Sequence, residues 1–215
     1  MSSYTESQRD LQDEFKTRAL ADTLENSIVQ TELNEAACAF IEERDFFFLT
    51  TVSSEGEPTV SHKGGPKGTV KILDPKTLAF PAYDGNGMFL SLGNIADTGK
   101  IGLLFMDFET PHRVRVQATA SIVQDPSLLA NFPGAIAVVK AHVDRTFVNC
   151  ARYIHKYQRI ESSRHVPNNN GEQPLASWKR IQGMGPLLSP EDQARAAGEE
   201  ISAKDYADLL ARGES

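Results

Sequence analysis

The chain has 215 residues, 40% of them hydrophobic and 24% charged, which is the composition of a globular protein of ordinary domain size. A net charge of −7 and the lack of any dense Lys/Arg run argue against a broad nucleic-acid-binding face, although a local anion site stays open. No apolar run is long enough to cross a bilayer, the segment 1–18 has no signal-peptide core, and two cysteines make no disulfide framework. We therefore expect a cytoplasmic protein that binds neither nucleic acid nor membrane.

The N-terminal residues 1–44 are predicted to form a helical extension. A second short helix is expected from Glu35 to Glu43, and both helical segments look like a cover for the rest of the chain, although they could instead reach across to a partner. The first segment has apolar residues at spacings near four, with polar residues between them, at Leu11, Phe15, Leu24 and Ile28.

Residues 45–160 are predicted to form a mainly β domain. Short segments rich in aromatic and β-branched residues are separated by turns: FFFLTTVS, PTVSHKGG, GTVKIL, TLAFP, IGLLFMDF, HRVRVQATASIV and AIAVVKAHVDRTFV. Between them, MFLSLGNIA is predicted as a helix that ends at Gly99. Strands and helices do not alternate regularly, so we expect a small antiparallel barrel and not a doubly wound sheet.

Residues 161–215 are predicted to form a C-terminal loop and helical segment. ARYIHKYQRIESS, residues 151–163, overlaps the start of this segment and has the composition of a further helix. The tail from Ser189 begins with an N-cap-like Ser-Pro-Glu and is rich in helix formers, so it either docks as a helix or stays mobile.

The stretch FPAYDGNGMFLSLGN is a candidate anion site. Gly85 and Gly87 have no side chain to block an approaching oxyanion, and the first amides of the following helix lack internal partners. The alternative, favoured when spacing alone is considered, is that Asn86 caps the helix and the glycines serve a turn. The third glycine of a dinucleotide fingerprint and any phosphate-binding P-loop are missing.

Two further segments could contact a ligand. In SHKGGPKG, His62 and Lys63 end a strand, and the glycines that follow have no side chains. In HRVRV, Arg113 and Arg115 lie on one face of a strand. Taken alone, each pattern is more typical of a solvated surface. The five histidines show no zinc-ligand spacing, Cys150 has no nucleophile motif, and Trp178 is either a core residue or a cap on a ligand.

The ordered set HKGG, FPAYDGNGMFLSLGN, GLLFMDF and RVRV resembles the pyridoxamine 5'-phosphate oxidase-related, FMN-binding split-barrel proteins. The likeness covers about residues 40 to 125 and extends less firmly through FVNCARYIHKY to SWKR. It implies a six-stranded antiparallel split β-barrel that dimerises, with two FMN molecules at the subunit interface and helical extensions at both ends of the chain.

The resemblance also implies which residues hold FMN. The strand Val60–Gly65 would line the flavin, Pro81–Ser91 would hold its phosphate and ribityl chain, and Arg113 would reach the edge of the ring. Residues near the C-terminus of the partner subunit would close the site. The implied cofactor-binding residues are His62, Lys63, Gly64, Gly65, Pro81, Asn86, Gly87, Met88, Ser91, Asn94, Arg113, Trp178 and Arg180.

The chain departs from this pattern where the oxidases that make pyridoxal phosphate carry an Arg-Lys pair, because Leu90 and Ser91 stand there. Their C-terminal Arg-Leu-His run is also missing, so activity on pyridoxine phosphate is not expected. We expect an FMN-dependent oxidoreductase for a small molecule, with no catalytic residue assigned. The alternatives are a non-catalytic flavin carrier and a split barrel that uses F420 or haem.

Overall fold

The computed structural model describes residues 4–215, which divide into two compact units, one ending at Ile160 and the other spanning Glu161–Ser215. One sheet of seven antiparallel strands, in the order β2-β1-β5-β6-β7-β4-β3, forms the first unit. The mainly β fold class is confirmed, and every strand coincides with a segment predicted as one, although the resemblance implied six strands. The strands are β1 (Phe46–Val52), β2 (Pro58–Gly64), β3 (Lys71–Asp74), β4 (Thr77–Tyr83), β5 (Lys100–Asp107), β6 (His112–Val123) and β7 (Ala135–Val148).

Among residues 4–215, five α-helices belong to the first unit and two to the second. The helices are α1 (Glu6–Glu14), α2 (Arg18–Ile28), α3 (Glu35–Glu42), α4 (Leu90–Thr98), α5 (Pro126–Leu129), α6 (Pro190–Ala196) and α7 (Ala203–Arg212). Helix α6 begins at Ser189, as predicted, where the Ser189 side chain accepts a hydrogen bond from the Asp192 amide. Helix α3 begins at Asn34, whose side chain accepts one from the Ala37 amide. Within residues 4–215, no helix combines the length and apolarity that a bilayer crossing requires.

The core of the first unit lies on one face of the sheet, which we call the inner face. Phe47 on β1 packs its ring against those of Phe80 and Phe105, at centroid distances of 5.2 and 5.5 Å. Helix α3 closes part of this core with the buried Ile41. Helices α1 and α2 contribute no buried residue. The prediction of an N-terminal cover therefore holds for α3 and is wrong for α1 and α2.

The segment predicted as a helix after β7 forms a turn and then no regular secondary structure. Its backbone amides bond to the turn between β5 and β6 instead: the Tyr157 amide donates to the Phe108 carbonyl at 3.0 Å, and the Arg159 amide donates to Glu109 Oε1 at 3.0 Å. Tyr153, with φ of +70°, also interrupts any helical path. The helix-like composition is overridden by these long-range hydrogen bonds.

Helix α4 ends at Gly99, as predicted, and alanine is expected to fit poorly there. Gly99 has φ of +65°, and an added Cβ would lie 3.1 Å from the Ala120 carbonyl oxygen. We expect Gly99→Ala to cost about 1–2 kcal/mol of unfolding free energy in urea titration. Gly93→Ala, in the same helix with open space around it, should be neutral or stabilising by up to about 1 kcal/mol. Equal stability of the two variants would contradict this account.

Candidate anion site

Helix α4 lies against the inner face of β1 and β2 through polar side chains. The contacts follow one another along the helix, so its N-terminal end meets the middle of β2 and its C-terminal end meets the end of β1. The contacts are Ser61 Oγ to Ser91 Oγ at 3.0 Å, Asn94 Nδ2 to Thr51 Oγ1 at 3.0 Å, and Thr98 Oγ1 to the Val52 carbonyl at 2.9 Å.

The start of α4 has no side-chain cap. Its N-cap residue, Phe89, has a left-handed backbone with φ of +51° and provides no capping oxygen. Asn86 Oδ1 accepts instead from the Met88 amide at 3.1 Å, so the alternative that Asn86 caps the helix is wrong. The amides of 90–92 therefore lack partners inside the helix, and the helix dipole favours an anion beside them.

The loop before α4 leaves this end of the helix open. A Cβ added at Gly85 or Gly87 would meet no atom within 4 Å, and Gly87 has φ of +77°, which favours glycine. Met88 is 62% exposed. The backbone here is accessible, as the glycine pattern predicted.

Lys63 supplies the positive charge at this place. Alternate residues of β2 share a face, so Lys63 lies with Ser61 on the side that contacts α4. Asn94 contacts Thr51 on β1, and Ser91, one turn nearer the N-terminus of α4, contacts Ser61 on β2. The next residue of β2 on the same face, in the same direction, is Lys63. The lysine therefore lies beyond the N-terminus of α4, about 7 Å along the strand from Ser61.

The ammonium group of Lys63 has no ion pair or hydrogen bond among residues 4–215, although the side chain is half-buried. Burial lowers the pKa of Lys63, because the charged form loses hydration without gaining a carboxylate. We call Ser61, Lys63, Ser91 and the amides of 90–92 the anion site. Two hydroxyls, three free amides and an unpaired cation can together bind a phosphate group.

Tyr83 and Gly65 form the adjoining wall. A Cβ at Gly65 would lie 2.4 Å from Thr69 Oγ1 and 3.3 Å from the Tyr83 ring, so glycine is required for this packing. Burial raises the pKa of the Tyr83 hydroxyl. Ser61 and Tyr83 lie within the ranges predicted to hold the flavin, but neither was named as a binding residue. The period of two along β2 could have identified Ser61, whereas Tyr83 meets Gly65 only through the fold.

His62, Gly64 and Arg113 lie on the opposite, outer face of the sheet. The His62 ring stacks on that of Phe46 at a centroid distance of 5.3 Å, and Arg113 Nη2 donates to the Cys150 carbonyl at 3.0 Å. Strands β1 and β5 separate β2 from β6, so His62 and Arg113 are about 14 Å apart across the sheet. Neither side chain lies on the face of the sheet that carries Lys63.

The other predicted residues occupy different places. Pro81 is buried in β4 opposite Val138, away from the loop. Trp178 and Arg180 belong to the second unit, in a short 3-10 helix, where Arg180 pairs with Glu199 at 3.2 Å. The structure thus brings Lys63, Ser91 and the 86–88 loop to one end of α4, with Asn94 one turn further along.

An antiparallel β protein with an anion site at a helix start is the class that these features define. The family model of pyridoxamine 5'-phosphate oxidase matches residues 33–161, and the chain belongs to that family. The resemblance read from the sequence is confirmed. Helices α1 and α2 and nearly all of the second unit lie outside the match.

Several solved structures are similar to the chain. HupZ from Group A Streptococcus is 21% identical, covering 59% of this chain and 100% of its own, with a TM-score of 0.46. A candidate pyridoxamine 5'-phosphate oxidase from Lactobacillus delbrueckii is 28% identical over 55% and 95%, with a TM-score of 0.45. An FMN-binding protein from Syntrophomonas wolfei is 13% identical over 65% and 97%, with a TM-score of 0.43. No curated protein matches the chain.

Proposed function

We propose that this protein binds FMN, with the phosphate in the anion site, and carries out redox chemistry on a small molecule. Two observations carry the proposal: the half-buried ammonium of Lys63 has no ion pair or hydrogen bond among residues 4–215 and lies on the face of β2 that contacts α4, and the start of α4 has no side-chain cap. Bound FMN supplies hydride or electron transfer at its N5 atom. Family membership supports a flavin phosphate as the anion, although the family's fold does not fix the reaction.

The residues present fit a phosphate monoester despite the missing Arg-Lys pair. Lys63 provides one formal charge, and the hydroxyls of Ser61 and Ser91 provide donors without charge. The dipole of α4 adds about half a charge at its N-terminus. The exposed Met88 and Phe89 beside this end offer apolar surface to the uncharged part of the ligand.

We further propose a homodimer in which each flavin contacts both copies. The anion site and Arg113 lie on opposite faces of one sheet, so a single copy does not present both to one ligand. A second copy can bring its outer face, with His62 and Arg113, to the anion site of the first. There Arg113 would hold a fixed positive charge beside the flavin ring and favour electron uptake.

The absorbance spectrum of the purified protein tests the cofactor. We expect a flavin spectrum as isolated, or uptake of added FMN, with riboflavin bound more weakly because it lacks the phosphate. A colourless protein that ignores FMN, or one that carries haem or F420, would overturn the proposal. Protein-dependent consumption of NAD(P)H would separate a catalyst from a flavin carrier.

The ratio of FMN affinity to riboflavin affinity should depend on pH in a defined direction. Because burial lowers the pKa of Lys63, the ratio should fall as pH rises through that lowered value and the ammonium is lost. Below about pH 6 it should fall again as the phosphate gains a proton. Fluorescence titration across pH measures both limbs. An alkaline limb unchanged in Lys63→Gln would show that another group causes it.

A further inference from the structure

Helices α1 and α2 form a hairpin whose inside is polar. Arg9 Nη1 pairs with Asp22 Oδ1 at 2.5 Å, and the Tyr4 hydroxyl donates to the Ala21 carbonyl at 3.1 Å. These four residues, half-buried between the helices, join α1 to α2. A hairpin that functions alone in water would instead turn its apolar side chains inward.

The apolar side chains of the hairpin point outward. On α2, Leu20 and Leu24 are four residues apart and share one side, whereas Asp22 between them points to the other side. We call the exposed set the apolar stripe, and its members are 36% to 68% exposed. The stripe consists of Leu11, Phe15, Leu20, Leu24 and Ile28.

The chain's own sheet does not cover this stripe, since neither helix has a buried residue. The hairpin is nevertheless anchored at its base. The Gln30 amide donates to the Thr146 carbonyl at 2.9 Å, and the Thr146 amide donates back at 2.8 Å. The hairpin thus leaves the sheet as an arm from the end of β7, beside the outer-face residue Phe147.

Charge indicates what the arm meets. Glu6, Asp10 and Glu14 recur every four residues on α1, beside the stripe, and have no ion pair among residues 4–215. On the outer face of the sheet, Arg115 of β6 and Arg145 of β7 likewise have no ion pair in the described chain. The acidic side of α1 and the basic outer face of β6 and β7 therefore carry opposite charges.

We propose that the arm of one copy docks on the outer face of β6 and β7 of a second copy. The apolar stripe would then cover Phe147, and the acids of α1 would face Arg115 and Arg145. This deepens the proposed dimer, on which it rests, by naming a contact outside the family match. A membrane is the less suitable occupant, because residues 4–28 have six acidic and three basic side chains, a net charge of −3.

The first test compares two double variants of the full chain with equal charge change on α2. Leu20→Glu/Leu24→Glu alters the stripe, and Ala19→Glu/Asn26→Glu alters exposed positions on other sides of the helix. Light scattering during dilution measures the dimer dissociation constant. We expect about a hundredfold rise for the stripe variant and little change for the control. The same constant in both variants would overturn the inference.

A charge-reversal test identifies the docking surface. Arg115→Glu/Arg145→Glu should weaken the dimer, and adding Asp10→Lys/Glu14→Lys in the same chain should restore much of the lost affinity. Failure to restore it would contradict the assigned surface. If the protein sediments with vesicles of phosphatidylcholine and phosphatidylglycerol and the stripe variant does not, the stripe binds a membrane. That result would overturn the proposal that a second copy covers it.

An FMN titration of every variant keeps the two proposals apart, because no arm residue belongs to the anion site. A dimer that responds to the stripe but takes up no FMN would refute the cofactor alone. FMN uptake by a protein that is monomeric at all concentrations would refute the arm contact and the dimer.

Discussion

Replacement of Lys63 by glutamine is expected to lower the affinity for FMN by about tenfold to a hundredfold. The ammonium is half-buried and has no protein partner among residues 4–215, so its main electrostatic role is toward a bound anion. Riboflavin affinity should change little, because riboflavin has no phosphate to contact the lysine. Flavin fluorescence titration measures both constants.

Lys67→Gln provides a matched control for this prediction. Lys67 lies in the loop that follows β2, is exposed and pairs with Glu43 at 2.5 Å. Its loss removes the same charge from the protein, and FMN affinity should be nearly unchanged. If both variants weaken FMN equally, the effect is one of overall charge and the site assignment is wrong. Ser91→Ala should show a smaller loss, about tenfold.

Asp192→Asn is expected to destabilise the second unit by about 3 kcal/mol. The Lys179 side chain is only 3% exposed, and its ammonium lies 2.7 Å from Asp192 Oδ2. Removing the carboxylate takes a hydrogen-bonded counter-ion away from a buried positive charge. Trp178, the single tryptophan of the chain, is adjacent to Lys179, so its fluorescence in urea reports on this unit.

Two further variants serve as controls for the effect of Asp192→Asn on stability. Glu199→Gln removes a carboxylate from the more exposed pair with Arg180 and should cost well under 1 kcal/mol. Lys179→Met/Asp192→Leu removes both charges and should recover most of the stability lost in Asp192→Asn. An Asp192→Asn protein as stable as Glu199→Gln would show that the buried pair contributes little.

The strands could be predicted because their side chains alternate and turn residues separate them. The end of α4 at Gly99 and the cap of α6 at Ser189 are likewise local features of the sequence. The segment after β7 could not be predicted in the same way. Its backbone bonds to Phe108 and Glu109, about fifty residues earlier in the chain, and this decides against a helix.

The candidate site was predicted only in part, for a physical reason. Sequence and resemblance grouped His62 with Lys63 because they are neighbours, but neighbours on a strand point to opposite faces. The contact between Ser61 and Ser91 depends on how α4 lies across β2, which no local pattern specifies. The glycines before α4 were informative because open backbone is a local property.

A crystal structure of the protein with FMN would show where the phosphate binds. We expect the phosphate within hydrogen-bonding distance of Lys63 Nζ and Ser91 Oγ, at the amides that begin α4. A phosphate bound on the outer face beside His62 or Arg113, with Lys63 left without a partner, would contradict this expectation.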